Sequence, residues 1–229
     1  MRSFRRLLFT IHLNQHTKLS APFDKAASWY DRLATLVYGQ RLLAAQREML
    51  EELPENGRVL WVGGGTGTML PVLLESRPHL HVDYLEESSR MISIAAGRIT
   101  GREQQVSFAT SLEYLEPREA EYDAVLLFFV MDVFETRELS LQLQKWLRYA
   151  NPQGKVLVAE FCVPAEQPGR MLAKVLIPTM YSFFRLSIGM SNTRLPDWKG
   201  CLEEQGFQEV KRTERLLGII LSACWQVKG

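Results

Sequence analysis

The chain is 229 residues long, 46% hydrophobic and 23% charged, with a formal net charge of +1. That length holds one large α/β domain, at most with a small extension, and the near-neutral charge gives no electrostatic reason to expect a nucleic-acid partner. The three cysteines, Cys162, Cys201 and Cys224, are too scattered for a disulfide framework or a structural zinc site, and they suit a reducing, cytoplasmic compartment.

The chain opens with "MRSFRRLLFTIHL", whose basic start resembles a secretion signal. Its apolar run is short, Thr10 and His12 interrupt it, and no small-residue cleavage site follows closely, so a helix covering the domain is the better reading. Residues 20 to 53 read as helical, because "WYDRLATLVYGQRLLAAQREML" carries a continuous apolar stripe. Residues 1–57 are therefore expected to form an N-terminal helical cap, with the core at 58–229.

From residue 58, short β-rich runs alternate with helical stretches. "RVLWV" (58–62) predicts a strand and "TMLPVLLES" a helix; "LHVDYL" (80–85) predicts a second strand, then "SSRMISIAAGRI" a helix capped by Ser88 or Ser89. "QVSFA" (105–109) is a third strand. "YDAVLLFFV" (122–130), nearly all apolar, suits a central strand buried on both faces. The helix "ELSLQLQKWLRYA" closes at the turn "NPQG" (151–154), and "KVLVAEF" (155–161) follows as the fifth strand. This alternation predicts a doubly wound, mostly parallel sheet with helices on both faces.

The 165–198 stretch reads as a lid-like insertion. Its segment "MLAKVLIPTMYSFFRLSIGM" (171–190) is long enough to span a bilayer, but Lys174, Pro178 and Arg185 punctuate it, so no stable membrane insertion is expected. It reads as helix packed on the core, as a lid over an apolar site, or as the interface of a homodimer. A helix near "DWKGCLEEQ" and two late strands, "FQEVKRT" and "IILSACWQV", complete the chain, the strands being suited to antiparallel pairing.

The most informative stretch is "LWVGGGTGTML" (60–70), which runs a strand through a glycine cluster into a helix. A P-loop would need a lysine after the final glycine, and Thr68 follows instead. A dinucleotide fingerprint would need a third glycine at position 68 or 70, where Thr68 and Leu70 stand. The spacing present, Gly63, Gly65 and Gly67, leaves a nucleoside cofactor without phosphate, its carboxylate suited to backbone N–H groups at a helix start. The second strand ends at Glu86, where a carboxylate can accept hydrogen bonds from a ribose diol; Glu87 is expected in solvent, and Asp83 is the competing choice.

Together these segments resemble the class I S-adenosylmethionine-dependent methyltransferases over roughly residues 22 to 161. "PFDKAASWYD" is similar to that family's N-terminal motif, "VLWVGGGTG" to its glycine motif and "LEESSRMISIA" to its acid-x-Ser-x-x-Met segment. "YDAVLLFFVMD", "NPQGKVLVAEF" and "LEEQGFQEV" resemble its later motifs. The resemblance implies a Rossmann-like seven-stranded sheet with one antiparallel strand, and S-adenosylmethionine as cofactor. It implies that Gly63, Gly64, Gly65, Thr66 and Gly67 cradle the methionyl part and that Met91 packs near the adenine, beside Ser111. Phe128 or Phe129 would line the site, and Tyr30 would cover it. Trp61 replaces the acid usually found two residues before the first glycine, and Ser111 stands where many members carry aspartate.

Methyl transfer from a sulfonium is a displacement on an activated carbon, so alignment and exclusion of water dominate, and a base is needed only for a proton-bearing nucleophile. Asp132, after the fourth strand, and Glu160, at the end of the fifth, are the candidate catalytic carboxylates. Tyr181 and Arg185 are candidate substrate contacts, with a structural role the blander alternative. His12 with His16, and His79 with His81, lack the partners of a metal site, and none is expected. The Met- and Phe-rich segment 171–190 suggests a small, apolar methyl acceptor. The rival readings are a non-catalytic relative that binds S-adenosylmethionine or a partner, prompted by Trp61, and a nicotinamide-dependent oxidoreductase, disfavoured by the missing third glycine.

Overall fold

The computed structural model describes residues 40–115, 120–188, 190 and 192–228. Among them, helix α1 (Arg41–Leu50) precedes strand β1 (Asn56–Val62), α2 (Leu70–Ser76), β2 (His79–Leu85), α3 (Ser89–Gly97) and β3 (Val106–Ala109). There follow β4 (Tyr122–Phe128), α4 (Thr136–Leu147), β5 (Ala150–Phe161), α5 (Gly169–Ile188), α6 (Trp198–Glu204), β6 (Phe207–Arg215) and β7 (Ile220–Val227). The strands form one sheet in the order β3-β2-β1-β4-β5-β7-β6. Neighbours from β3 to β5 pair in parallel, whereas β7 pairs antiparallel with both β5 and β6. The expected Rossmann-like sheet with one reversed strand is present.

Alternation along β1 shows how the sheet acquires two cores. Val59 and Trp61 point into a cluster with Ala45 and Met49 of α1, Leu73 of α2 and Ile177 of α5. Leu60 and Val62 point the other way, into a cluster with Leu139 and Leu143 of α4 and Leu202 of α6. Both faces are apolar because helices cover both, which is why β4 carries a near-continuous hydrophobic run. In α4 the buried residues Leu139, Leu143, Trp146 and Leu147 recur with the helical period and form its inner stripe.

Two boundaries differ from expectation. The fifth strand begins earlier, at Ala150, because Ala150 pairs with Tyr122 before the register slips and Lys155 meets Ala124. Residues 151–154 are thus an irregularity within β5 and not a turn preceding it. The fourth strand stops at Phe128, since Phe129 takes a positive φ of 52° that ends the extended run. The N-terminal motif, Tyr30 and most of the 1–57 cap lie outside the described residues.

Candidate active site

The glycine loop leaves the carboxyl end of β1 and is fixed from below. Gly63, Gly65 and Gly67 have φ values of 62°, 61° and 70°, conformations that only glycine adopts without strain. A Cβ at Gly63 would strike Val130, one at Gly64 the ring of Tyr84, and one at Gly67 would stand 2.7 Å from the Ala95 Cβ. Gly65 differs, since the nearest atom to a Cβ there is Met91 Sδ at 4.0 Å. Three glycines are therefore pressed onto the core, whereas the fourth meets only Met91 among the described residues.

Hydrogen bonds complete the cradle. The Gly63 N–H donates to the Leu85 carbonyl at 2.8 Å, and the Tyr84 hydroxyl donates to the Gly65 carbonyl at 3.1 Å. Glu86, just beyond β2, accepts from the Gly65 N–H at 2.9 Å through one oxygen and from the Ser88 N–H at 3.0 Å through the other. Ser88 is the N-cap of α3, accepting from the Met91 N–H at 3.1 Å, and this draws Met91 toward the loop. Glu86 also donates its backbone N–H to Ala109 at the end of β3, two residues before Ser111, whose hydroxyl binds Glu113. Thr66 is buried and Glu87 exposed.

Beneath the loop lies an aromatic layer. The Trp61 ring centroid is 5.6 Å from those of both Tyr84 and Phe128, and Tyr84 meets Phe108 edge-on at 5.2 Å. Trp61 thus occupies the core under the loop, with an indole N–H that has no hydrogen-bond partner among the described residues. Phe128 belongs to this layer. Phe129, in its strained conformation, turns to Phe161 with centroids 5.2 Å apart.

Asp83 and Glu86, the two competing acids of β2, have different surroundings. Asp83 is fully buried, paired to Arg58 Nε at 2.7 Å, and accepts the Tyr122 hydroxyl at 2.8 Å. Tyr122 opens β4, so Asp83 is committed to the amino-terminal half of the sheet, away from the loop. His81 Nε2 shares a hydrogen bond with Ser107, and no His, Cys, Asp or Glu group among the described residues could hold a metal ion. His12 and His16 lie outside the described residues.

At the ends of β4 and β5 the two candidate carboxylates come together. Glu160, fully buried, accepts from the Met131 N–H at 3.0 Å and from the Phe161 N–H at 2.8 Å. Asp132 sits on the short 3-10 turn Met131–Val133 that Glu160 grips. Burial pushes the Asp132 carboxyl up to about 7. Burial, followed by the neighbouring charge of Asp132, pushes Glu160 well above the usual carboxylate range. Two adjacent carboxylates in a dry site resist double ionisation, so the pair retains a proton toward neutral pH.

The turn is also held from above. Tyr181 of α5 donates its hydroxyl to the Asp132 carbonyl at 2.9 Å, and Asn192 donates to the same oxygen at 2.8 Å and to Phe134 at 2.9 Å. Of the residues expected to contact substrate, Tyr181 is buried against this turn, whereas Arg185 is exposed. Sequence reasoning missed Tyr84, Val130 and Asn192. Tyr84 had a signal, since it lies one residue before the strand-end pair Leu85–Glu86, beside the loop. Asn192 had none, because only the fold brings it to Asp132.

Residues 60–156 match the family described as a methyltransferase domain. Demethylmenaquinone methyltransferase of Thermotoga maritima is 28% identical over 71% of this chain and 66% of its own length. Demethylspheroidene O-methyltransferase of Rhodobacter capsulatus is 25% identical over 83% of this chain and 46% of its own. The chain thus spans about two thirds and about half of these curated relatives. Among solved structures, the O-methyltransferase NcsB1 from neocarzinostatin biosynthesis, in complex with S-adenosylmethionine and 2-hydroxy-5-methyl naphthoic acid, superposes with a TM-score of 0.60 at 17% identity. That match covers 88% of this chain and 56% of the other, and at this identity it speaks for the fold. The domain match, the curated relatives and the sheet order agree that residues 60–156 resemble a methyltransferase domain and that the fold is the Rossmann-like one of such enzymes.

Proposed function

We propose that this domain binds S-adenosylmethionine along the glycine loop and transfers its methyl group to a hydroxyl oxygen of a small, largely apolar molecule. The observation that carries this reading is convergence. A glycine loop uncrowded at Gly65 among the described residues, the Glu86 carboxylate beside it, and the Asp132–Glu160 pair all stand at the carboxyl ends of adjacent strands. The relatives named for demethylmenaquinone and demethylspheroidene, and the O-methyltransferase bound to a naphthoic acid, support a small-molecule acceptor and, in two cases, oxygen.

The residues present fit the cofactor. The lack of crowding at Gly65 among the described residues suits a bound methionyl group, and Glu86, already turned toward the loop, offers the acceptor that a ribose diol needs. When bound, the cofactor supplies an electrophilic methyl on a sulfonium. The chain's own residues do the rest. Gly63, Gly64, Gly65, Thr66 and Gly67 hold the methionyl part, and Glu86 exchanges its bond to Gly65 for the ribose. Met91, Ser111 and Phe129 flank the nucleoside, while Phe128 supports the loop from beneath. Asp132, with its carboxyl raised to about 7, takes the proton of the acceptor hydroxyl near neutral pH. Glu160 positions Asp132 by holding the turn through backbone N–H groups, and α5 excludes water above it.

Calorimetric titration with S-adenosylmethionine and S-adenosylhomocysteine, alongside Glu86→Ala, tests the proposal. Binding in the micromolar range is expected, weakened roughly 30- to 100-fold in the variant, the loss of a charged acceptor of two hydrogen bonds. No binding by the intact chain would sink this reading and favour a non-catalytic, partner-binding relative.

A further inference from the structure

Below α5 lies a groove of about 280 Å³, at the small end for a ligand site. Ala173, Ile177 and Tyr181 form its floor, and all three are buried; Leu195 adds an apolar wall. The lining includes two cations, Lys174 from α5 and Arg194 from the segment leading to α6. Neither side chain pairs with a carboxylate among the described residues. The ion pairs of Arg58, Lys155, Lys211 and Arg215 lie away from this groove. The groove neighbours the candidate transfer site, because Tyr181 lines it and donates its hydroxyl to the Asp132 carbonyl.

We infer that this groove is the acceptor subsite and that it selects a carboxylate-bearing apolar acceptor, whose charge lies between Lys174 and Arg194 while its one- or two-ring body covers Ala173, Ile177 and Tyr181. An apolar floor with two cations in its lining discriminates by charge more than by shape, since a neutral analogue forfeits the ion pairs and keeps the same buried area. The inference rests on the methyltransferase reading for the name "acceptor", and the groove's charge selectivity can be measured without any cofactor.

The test is a ligand-observed NMR titration of the full chain with cinnamate and with neutral cinnamamide, probes of equal size, in the absence of S-adenosylmethionine. The acid is expected to bind at least tenfold more tightly than the amide. That preference should fall to about twofold or less in Lys174→Met/Arg194→Met, whose exposed positions leave folding intact by circular dichroism. Equal binding of acid and amide, no binding of either, or an acid preference that survives the double substitution would each overturn the inference. Loss of cofactor binding with a retained acid preference would remove the methyltransferase reading alone. Failure of the acid preference with intact cofactor binding would remove this inference alone.

Discussion

Around β1 and β2, the contacts that shape the glycine loop join residues close in sequence. Tyr84 reaches Gly65 across 19 positions, and Glu86 reaches it across 21. Around β4 and β5 the contacts are long, with Tyr181 reaching the Asp132 carbonyl across 49 positions and Asn192 across 60. The first region is a backbone device in which glycines are demanded by φ and by close approach. The second is a side-chain device assembled only when the sheet and α5 are both in place. Local backbone demands leave marks in a sequence, whereas long-range side-chain assembly leaves few.

Three substitutions sharpen that contrast, from the largest expected effect downward. Gly67→Ala places a Cβ against Ala95 in a left-handed conformation, and should cost roughly 3 kcal/mol in chemical denaturation. A loss under about 0.5 kcal/mol would show that the loop is not pressed onto α3 as described.

Asp132→Asn comes next and is read through pH. The folded carboxyl is raised to about 7 from the ordinary aspartate value of 3.8, so between these values the folded state binds more protons than the unfolded chain. Stability therefore falls as pH rises through that window, and the penalty is complete above it. Asparagine cannot ionise. The variant should match the parent near pH 4 and exceed its stability by roughly 2 kcal/mol at pH 8, while losing about 100-fold or more in methyl-transfer rate. A stability difference that does not change with pH would remove Asp132 as a buried titrating group.

Tyr84→Phe removes one hydroxyl bond to the Gly65 carbonyl and keeps the aromatic layer. A loss of about 1 kcal/mol is expected, with a few-fold weaker cofactor binding. An unchanged midpoint and unchanged affinity would reassign the loop's support to the glycines alone.

The strands were legible because their apolar runs are bounded by turns, and each of the seven expected runs holds a strand, with shifted ends at β4 and β5. Where the sequence misled, the cause was register. The "NPQG" stretch has the composition of a turn, yet Ala150 before it already pairs with Tyr122, and the irregularity is absorbed inside β5. The glycine loop and Glu86 could be read directly, since strand-end position fixes both. The partnership of Asp132 with Glu160 could be read only as two separate candidates, because their approach depends on the parallel pairing of β4 with β5. Trp61 looked like a missing acid, and only packing shows it as the centre of an aromatic support. The meeting of Lys174 with Arg194 at one groove carried no signal, since only the fold brings α5 beside the segment before α6.

The strand order bears on synthesis. β7, last of the strands along the chain, is inserted between β5 and β6, and it is buried over most of its length. While the chain emerges from a ribosome, β5 presents a bare apolar edge next to the Asp132 turn, and no local hairpin can cover it until residue 227 has been made. The parallel half containing the glycine loop can assemble early, but the edge beside the acid pair closes last. This architecture sets an order of completion in which the cofactor-side cradle takes shape before the chemistry beside it is sealed from water.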